Sequence, residues 1–210
     1  MGLNSGTSAD GLDLAVLRIG ESGSGIRMTA GYSRRFPPRL KEMILTMADT
    51  VETSLDSVVY LDNYLGQFIG QTAAAYMKKL ARQGISVDLV GSHGQTLRNV
   101  PQATRMGGYR VTGTMQLGSP DHVAAATGLI TVGDFRQADV AIGGEGAPIT
   151  TGAMHRLFVA PRASRLIVNI GGMANFFYFP HTGAGQGARA GVCRPGNSLC
   201  AKLAAGRVNR

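Results

Sequence analysis

Two alternating runs open the chain, LDLAVLRI over 12–19 and IRMTAGYSR over 26–34, and the GESGSG between them reads as a hairpin connection. With the stub MGL ahead of them they predict three strands. After Pro37-Pro38, suited to a helix's first turn, RLKEMILTMADT is helical. Thr53, with Asp56 three residues on, marks a second helix start. Val58, Leu61, Leu65, Phe68, Thr72, Tyr76 and Leu80 then recur every three or four residues, which predicts one long helix with a single buried face, stopped at Gly84.

Beyond it lie a buried strand VDLVGS, a glycine-punctuated loop, a short strand TMQLG, a helix DHVAAATG and another buried strand LITVGD. After the loop FRQADVAIGGEGAP a helix runs to about Val159. The order β-β-β-α-β-α-β-α implies a partly parallel sheet covered by helices, a layered α/β domain over 1–160. Pro161 begins a linker, and SRLIVNIGGMANFFYFP repeats the opening hairpin in outline, so 161–210 is expected to be the incomplete start of a second, similar domain.

Composition narrows the class. With 210 residues and 44% apolar content the chain can bury a core. Cys193 and Cys200 are too few for a disulfide framework or a four-ligand zinc site. No signal segment precedes Gly6 and no apolar run is long enough to span a bilayer, so the cytoplasm is the expected location and membrane attachment is not expected. Gly6 also stands where a myristoylation signal requires Ser or Thr. The charge of +8 raises the question of nucleic acid, but the arginines are scattered, tryptophan is absent and aromatics make up 6%, which argues against that partner. Small anions remain compatible.

The candidate chemistry sits in glycine turns. In NSGTSADGLD the backbone N–H groups of a glycine turn can approach an anion, with Ser5, Thr7 and Ser8 adding hydroxyls, and phosphate is the natural ligand. Asp10 and Asp13 suit a hydrated magnesium ion. Equally, Asp10-Gly11 is a favourable hairpin turn with solvated hydroxyls. His93, Gln95 and Thr96 of GSHGQT follow a strand's carboxyl end, where open α/β sheets bind ligands, although local backbone can also satisfy a histidine. Asp134, Arg136 and Asp139 can bind polar groups, or Asp134 can simply pair with Arg136. NIGGMAN supplies a second glycine turn that echoes the first.

Together and in this order, SGTSADGLD, GSHGQT, GDFRQADVAIGGEGAP and NIGGMAN resemble the bacterial anhydro-N-acetylmuramic acid kinases, from Gly2 to about Phe179. The resemblance implies an actin-like, ribonuclease H-like two-domain fold, a mixed sheet flanked by helices in each domain, with ATP and Mg2+ between them. It implies ATP-dependent hydrolytic opening of the 1,6-anhydro ring to give N-acetylmuramate 6-phosphate in cell-wall recycling. The partners are then a small amino sugar and ATP, with a homodimer left open. Gly6, Thr7, Ser8, Ala9, Asp10, Gly11, Leu12 and Asp13 would form the first phosphate turn, and Gly171 and Gly172 the second. His93, Gln95, Thr96, Asp134 and Arg136 would face the sugar, whose lactyl carboxylate suits an arginine.

The chain departs from the family pattern at its base. The family's aspartate, in a motif resembling Asp-x-Gly-Pro-Gly-Asn, matches VCRPGN here, so Val192 takes the aspartate's place and Arg194 that of the first glycine. A valine accepts no proton. LRNVPQ lacks the family's His-Glu before proline, and Asn4 replaces a common methionine. The chain also stops at Arg210, where the family is expected to continue with the rest of its second domain and the adenosine-binding turn. The expectation is a kinase of this family, inactive as this chain; the alternatives are a non-catalytic sugar- or phosphate-binding fragment and an actin-like scaffold.

Overall fold

The computed structural model describes residues 1–21, 25–171, 173–181 and 187–196. The chain separates into two compact units, Met1–Gln137 and Ala138–Arg210. The first unit opens with an antiparallel meander: β1 (Gly2–Ser5), β2 (Gly11–Arg18) and β3 (Arg27–Arg35). Alternation decides its faces. Leu12, Leu14 and Val16 of β2 are buried, while Asp13 and Leu17 point the other way and are exposed.

Helix α1 (Pro38–Asp49) begins with a proline in its first turn and buries Leu40, Ile44 and Met47. Helix α2 (Leu55–Ala81) buries Leu61, Leu65, Phe68, Thr72, Tyr76 and Leu80, the expected stripe. Each large aliphatic side chain so buried contributes about 1.5–3 kcal/mol. Its N-cap is Ser54 rather than Thr53: the Ser54 hydroxyl accepts the Ser57 N–H at 3.2 Å. Gly84, at φ +73°, lies three residues past the helix end. On the β3 edge, Arg34 donates to Thr72 Oγ1 at 3.0 Å and lies 4.7 Å from the Phe68 ring centroid, so its charge is satisfied against α2.

The middle strand differs most from expectation. β4 runs from Val90 to Met106, so the presumed GSHGQT loop is strand, and VDLVGS contributes only its last residues. β4 pairs parallel with β1 and antiparallel with β5 (Tyr109–Leu117), which extends TMQLG by five residues at its start and ends before Gly118. Helix α3 (Pro120–Thr127) ends at Gly128 in the left-handed region, as expected of DHVAAATG. LITVGD yields only β6 (Thr131–Val132), parallel to the start of β4, and Ile130 is exposed. The result is a six-stranded mixed sheet, β3-β2-β1-β4-β5 with β6 also on β4, flanked by helices. FRQADVA, read as loop, forms α4 (Phe135–Ala141).

In the second unit α5 (Thr151–Phe158) precedes a second antiparallel meander of β7 (Arg165–Ile170), β8 (Met173–Phe179) and β9 (Arg189–Pro195). The sequence places a boundary at 160/161, but α5 belongs with the later strands, because His155 packs edge-on against the buried Phe179 at 5.5 Å. Leu166, Val168 and Ile170 alternate along β7 and are exposed.

Candidate functional site

The opening turn is built as expected of a tight connection between paired strands. Ala9 N–H donates to Gly6 C=O at 3.0 Å, and Ala9 sits fully buried at φ +48° as an anchor, leaving Gly6, Thr7 and Ser8 exposed. At Gly6 a Cβ would come no nearer than 3.9 Å to Ser8 Oγ, so the glycine leaves open space above the turn. Gly11 serves packing: a Cβ there would lie 2.4 Å from Arg34 C=O. Leu12 is core.

The two aspartates have different surroundings. Asp10 accepts from Lys41 Nζ at 2.5 Å, and the Lys41 and Ser8 hydrogen bonds hold its carboxyl below the usual carboxylate range. Asp13, on the exposed face of β2, accepts from Ser33 Oγ at 2.5 Å. A magnesium ion at Asp10 would compete with Lys41. Asp13, an acceptor-only group bonded by one hydroxyl, fits a hydrated cation better. Among the described residues no three His, Cys, Asp or Glu side chains cluster as a self-sufficient metal site.

The second cluster arises from a bulge. Leu3 pairs with Ser92 and Ser5 with Gln95, so β4 carries one residue more than β1 between these pairs. Gly94 makes it possible: its φ is +68°, and a Cβ there would meet Leu117 C=O at 2.4 Å. The bulge aims His93 and Gln95 differently. Gln95 is buried and accepts from Ser5 Oγ at 2.5 Å. His93 meets Arg136, whose Nε–H donates to Nε2 at 2.9 Å, while its Nδ1 lies 3.0 Å from Gly94 C=O. Burial foremost, with Arg136 adding, pushes His93 below its ordinary value, and burial likewise lowers Arg136.

Thr96 stands opposite Gln116 of β5. Gln116 Nε2 donates to Thr114 Oγ1 at 2.7 Å, and Thr114 Oγ1 to Arg98 C=O at 3.3 Å, while Thr96 Oγ1, Gln116 Oε1 and Ser92 Oγ are buried without a hydrogen-bond partner among the described residues. Asp134 is exposed at φ +52° and makes no ion pair among the described residues, so pairing of Asp134 with Arg136 is not what orients the arginine. Asp139 holds a turn together: its Oδ2 accepts from Gly146 N–H at 2.8 Å and its C=O from Gly144 N–H at 2.9 Å.

In the second unit, Val192 stands opposite Asn175 in the β8–β9 ladder, its side chain half exposed. A Cβ at Gly196 would lie 2.5 Å from Gly171 C=O, so the VCRPGN and NIGGMAN segments are neighbours. Gly172 and Asn197 lie outside the described residues. Sequence reading passed over Lys41, which reaches Asp10 from α1, and Gln116, which bonds Thr114 within β5 and stands opposite Thr96 of β4, and it placed Ser5 only among the turn's hydroxyls.

Fold and site together define a mixed α/β protein whose helix-flanked sheet carries an exposed hydroxyl-rich turn and, beside it, a bulge with a histidine–arginine pair. The model of the anhydro-N-acetylmuramic acid kinase family matches residues 1–205, and the chain belongs to that family. Three relatives carry the same name, anhydro-N-acetylmuramic acid kinase. That of Salinibacter ruber is 36% identical over 98% of this chain and 52% of its own. That of Caldanaerobacter subterraneus subsp. tengcongensis is 32% identical over 95% and 51%, and that of Pseudoalteromonas atlantica 32% over 95% and 50%. The chain thus spans about half the length of the curated relatives it matches. Among the described residues no helix is long and apolar enough to cross a membrane.

Proposed function

We propose that this chain carries the first phosphate turn and the sugar-facing groups of an ATP-dependent kinase that opens and phosphorylates anhydro-N-acetylmuramic acid. The carrying observation is the family match across residues 1–205, with relatives named for that activity. An actin-like architecture agrees with it: β1-β2-β3 and β7-β8-β9 are both antiparallel meanders turning on a glycine-rich segment.

In this reading the exposed turn Gly6–Ser8 offers N–H and hydroxyl donors to the nucleotide phosphates. Arg136 takes the lactyl carboxylate and Thr96 a sugar hydroxyl. Magnesium, held through water by Asp13, would neutralise phosphate charge. The reaction balances as follows: a water oxygen bonds to the anomeric carbon and its proton passes to a base, the bond from that carbon to O6 breaks, and O6 takes the γ-phosphoryl group while ADP leaves. The product is the 6-phosphate, as peptidoglycan recycling would require.

Val192 favours a second reading, a non-catalytic binding module, since an aliphatic side chain stands where the family's base belongs. The deciding experiment joins residues 1–196 to the remaining length of the Salinibacter ruber relative, with Val192 or Val192→Asp, and follows ADP release and sugar 6-phosphate formation. Turnover only with the aspartate supports the kinase. Sugar binding without turnover in both supports the module, and neither binding nor turnover overturns both readings.

A further inference from the structure

We propose that the tip of the β4–β5 hairpin is a docking surface for anionic phospholipid, with Met106 and Tyr109 entering the interface and Arg105 and Arg110 taking the headgroup phosphates. The surface is independent of the reaction proposed above.

β4 passes into β5 through a two-residue turn, Gly107–Gly108, at φ +53° and +86°. Two left-handed central residues give the hairpin turn whose twist matches its strands, so the tip has a set shape. It also stands clear of the fold: a Cβ at either glycine would meet nothing within 4 Å. Behind the turn Met106 faces Tyr109, and Arg105 faces Arg110. Met106 is 61% and Tyr109 76% exposed, and both arginines are exposed.

Two arginines directly opposite each other repel, at a cost to the hairpin. The fold supplies no compensation: neither makes an ion pair among the described residues, and no Asp or Glu occurs between Asp88 and Asp121. A surface of lipid phosphates does supply it, since a guanidinium matches phosphate geometry and anionic lipid attracts each cation.

The apolar pair decides which polyanion fits. Strands advance about 3.4 Å per residue, so a hairpin entering tip first carries its bare glycines ahead. Met106 and Tyr109 follow, reaching the boundary of headgroups and acyl chains, and the arginines stay one step behind at the phosphates. Tyr109, with an apolar ring and a polar hydroxyl, suits that boundary. A single-stranded nucleic acid calls instead for several stacking rings, and Tyr109 is the single Phe, Tyr or Trp of β4 and β5. Peripheral contact of this kind needs no spanning helix.

The chain contains no tryptophan, so one introduced ring reports its own surroundings. Tyr109→Trp at the tip and Tyr60→Trp on α2, where Tyr60 is 71% exposed, are titrated with vesicles of phosphatidylcholine alone or with about 30% phosphatidylserine. Co-sedimentation follows the wild type and the double variant Arg105→Gln/Arg110→Gln. The wild type should sediment with the anionic vesicles only and be released at about 0.5 M salt. Emission should shift to the blue for Tyr109→Trp and stay unmoved for Tyr60→Trp. Loss of the arginines should weaken binding about fivefold for each and about twenty-five-fold for the pair. The melting temperature of the double variant should be unchanged or higher, because the repulsion is gone. Failure of the wild type to sediment with the anionic vesicles, equal binding of the double variant, or an equal blue shift from Tyr60→Trp overturns the proposal. Release of the protein by excess inorganic phosphate at constant ionic strength overturns it in favour of a free anion. Tighter binding of polyuridylate than of the vesicles, with the same dependence on both arginines, overturns it in favour of nucleic acid.

Discussion

Ser5 Oγ donates to Gln95 Oε1 at 2.5 Å, joining residues ninety positions apart at the point where the first turn leaves β1 and the bulge ends in β4. Both side chains are buried, so removing one strands the other. Ser5→Ala should cost about 1–3 kcal/mol, the penalty of a buried unsatisfied acceptor. Adding Gln95→Leu should restore part of it. Urea denaturation of the double-mutant cycle checks this, and strictly additive losses would show that the bond is not coupled.

Gly94 and Gly84 have nearly the same left-handed backbone but different neighbours. At Gly84 nothing lies within 4 Å of a built Cβ, so Gly84→Ala should cost only the conformational penalty of about 1–2 kcal/mol. Gly94→Ala adds a contact with Leu117 C=O that backbone must move to relieve, and should cost more than about 3 kcal/mol. Comparing the two denaturation midpoints tests the difference.

Nucleotide binding should depend on Gly6 for reasons other than folding. The turn tolerates a Cβ there, so Gly6→Val should leave the melting temperature nearly unchanged while abolishing the weak affinity for magnesium ATP expected of the turn. Equal calorimetric isotherms for the two proteins would show that phosphate does not sit there.

The Asp10–Lys41 pair has its own acid window. Asp10 lies below its ordinary value of 3.8, so its contribution to stability is present above that value and is lost as pH falls through the lowered one. Both groups are largely solvated, which limits the effect to under about 1 kcal/mol. Lys41→Met should move the Asp10 titration back toward its ordinary value, visible in the carboxyl 13C shift; an unmoved titration would dismiss the pair.

Loss of a general base costs about 10²- to 10⁴-fold. In the joined protein described above, Val192→Asp should raise turnover by that factor. The 210-residue chain, with valine at that position, should give no 6-phosphate in the same assay.

How far these features could be read beforehand depends on how local their causes are. The buried face of α2 is written in its own spacing, and six of its seven expected positions are buried. The extent of β4 is not: Gly94 punctuates GSHGQT like a loop residue, and only pairing with β1 on one side and β5 on the other makes the segment a strand with a bulge. LITVGD shows the opposite error, an apolar run of which only Thr131–Val132 finds a partner. The candidate residues of the first site were visible as residue types in glycine-rich segments. Their relations were not, since Arg136 reaches His93 across forty-three positions and Lys41 reaches Asp10 from a helix.

The exposed side chains of Leu166, Val168 and Ile170 have a consequence for handling the protein. They form one face of β7, which pairs with β8 and stands at the end of the strand order β7-β8-β9 among the described residues. Water meets a row of apolar side chains on a strand at the end of its sheet, a surface through which proteins associate. Concentration thereby becomes a variable of the protein's state: light scattering should grow with dilution reversed, and a lysine at position 168 should suppress it.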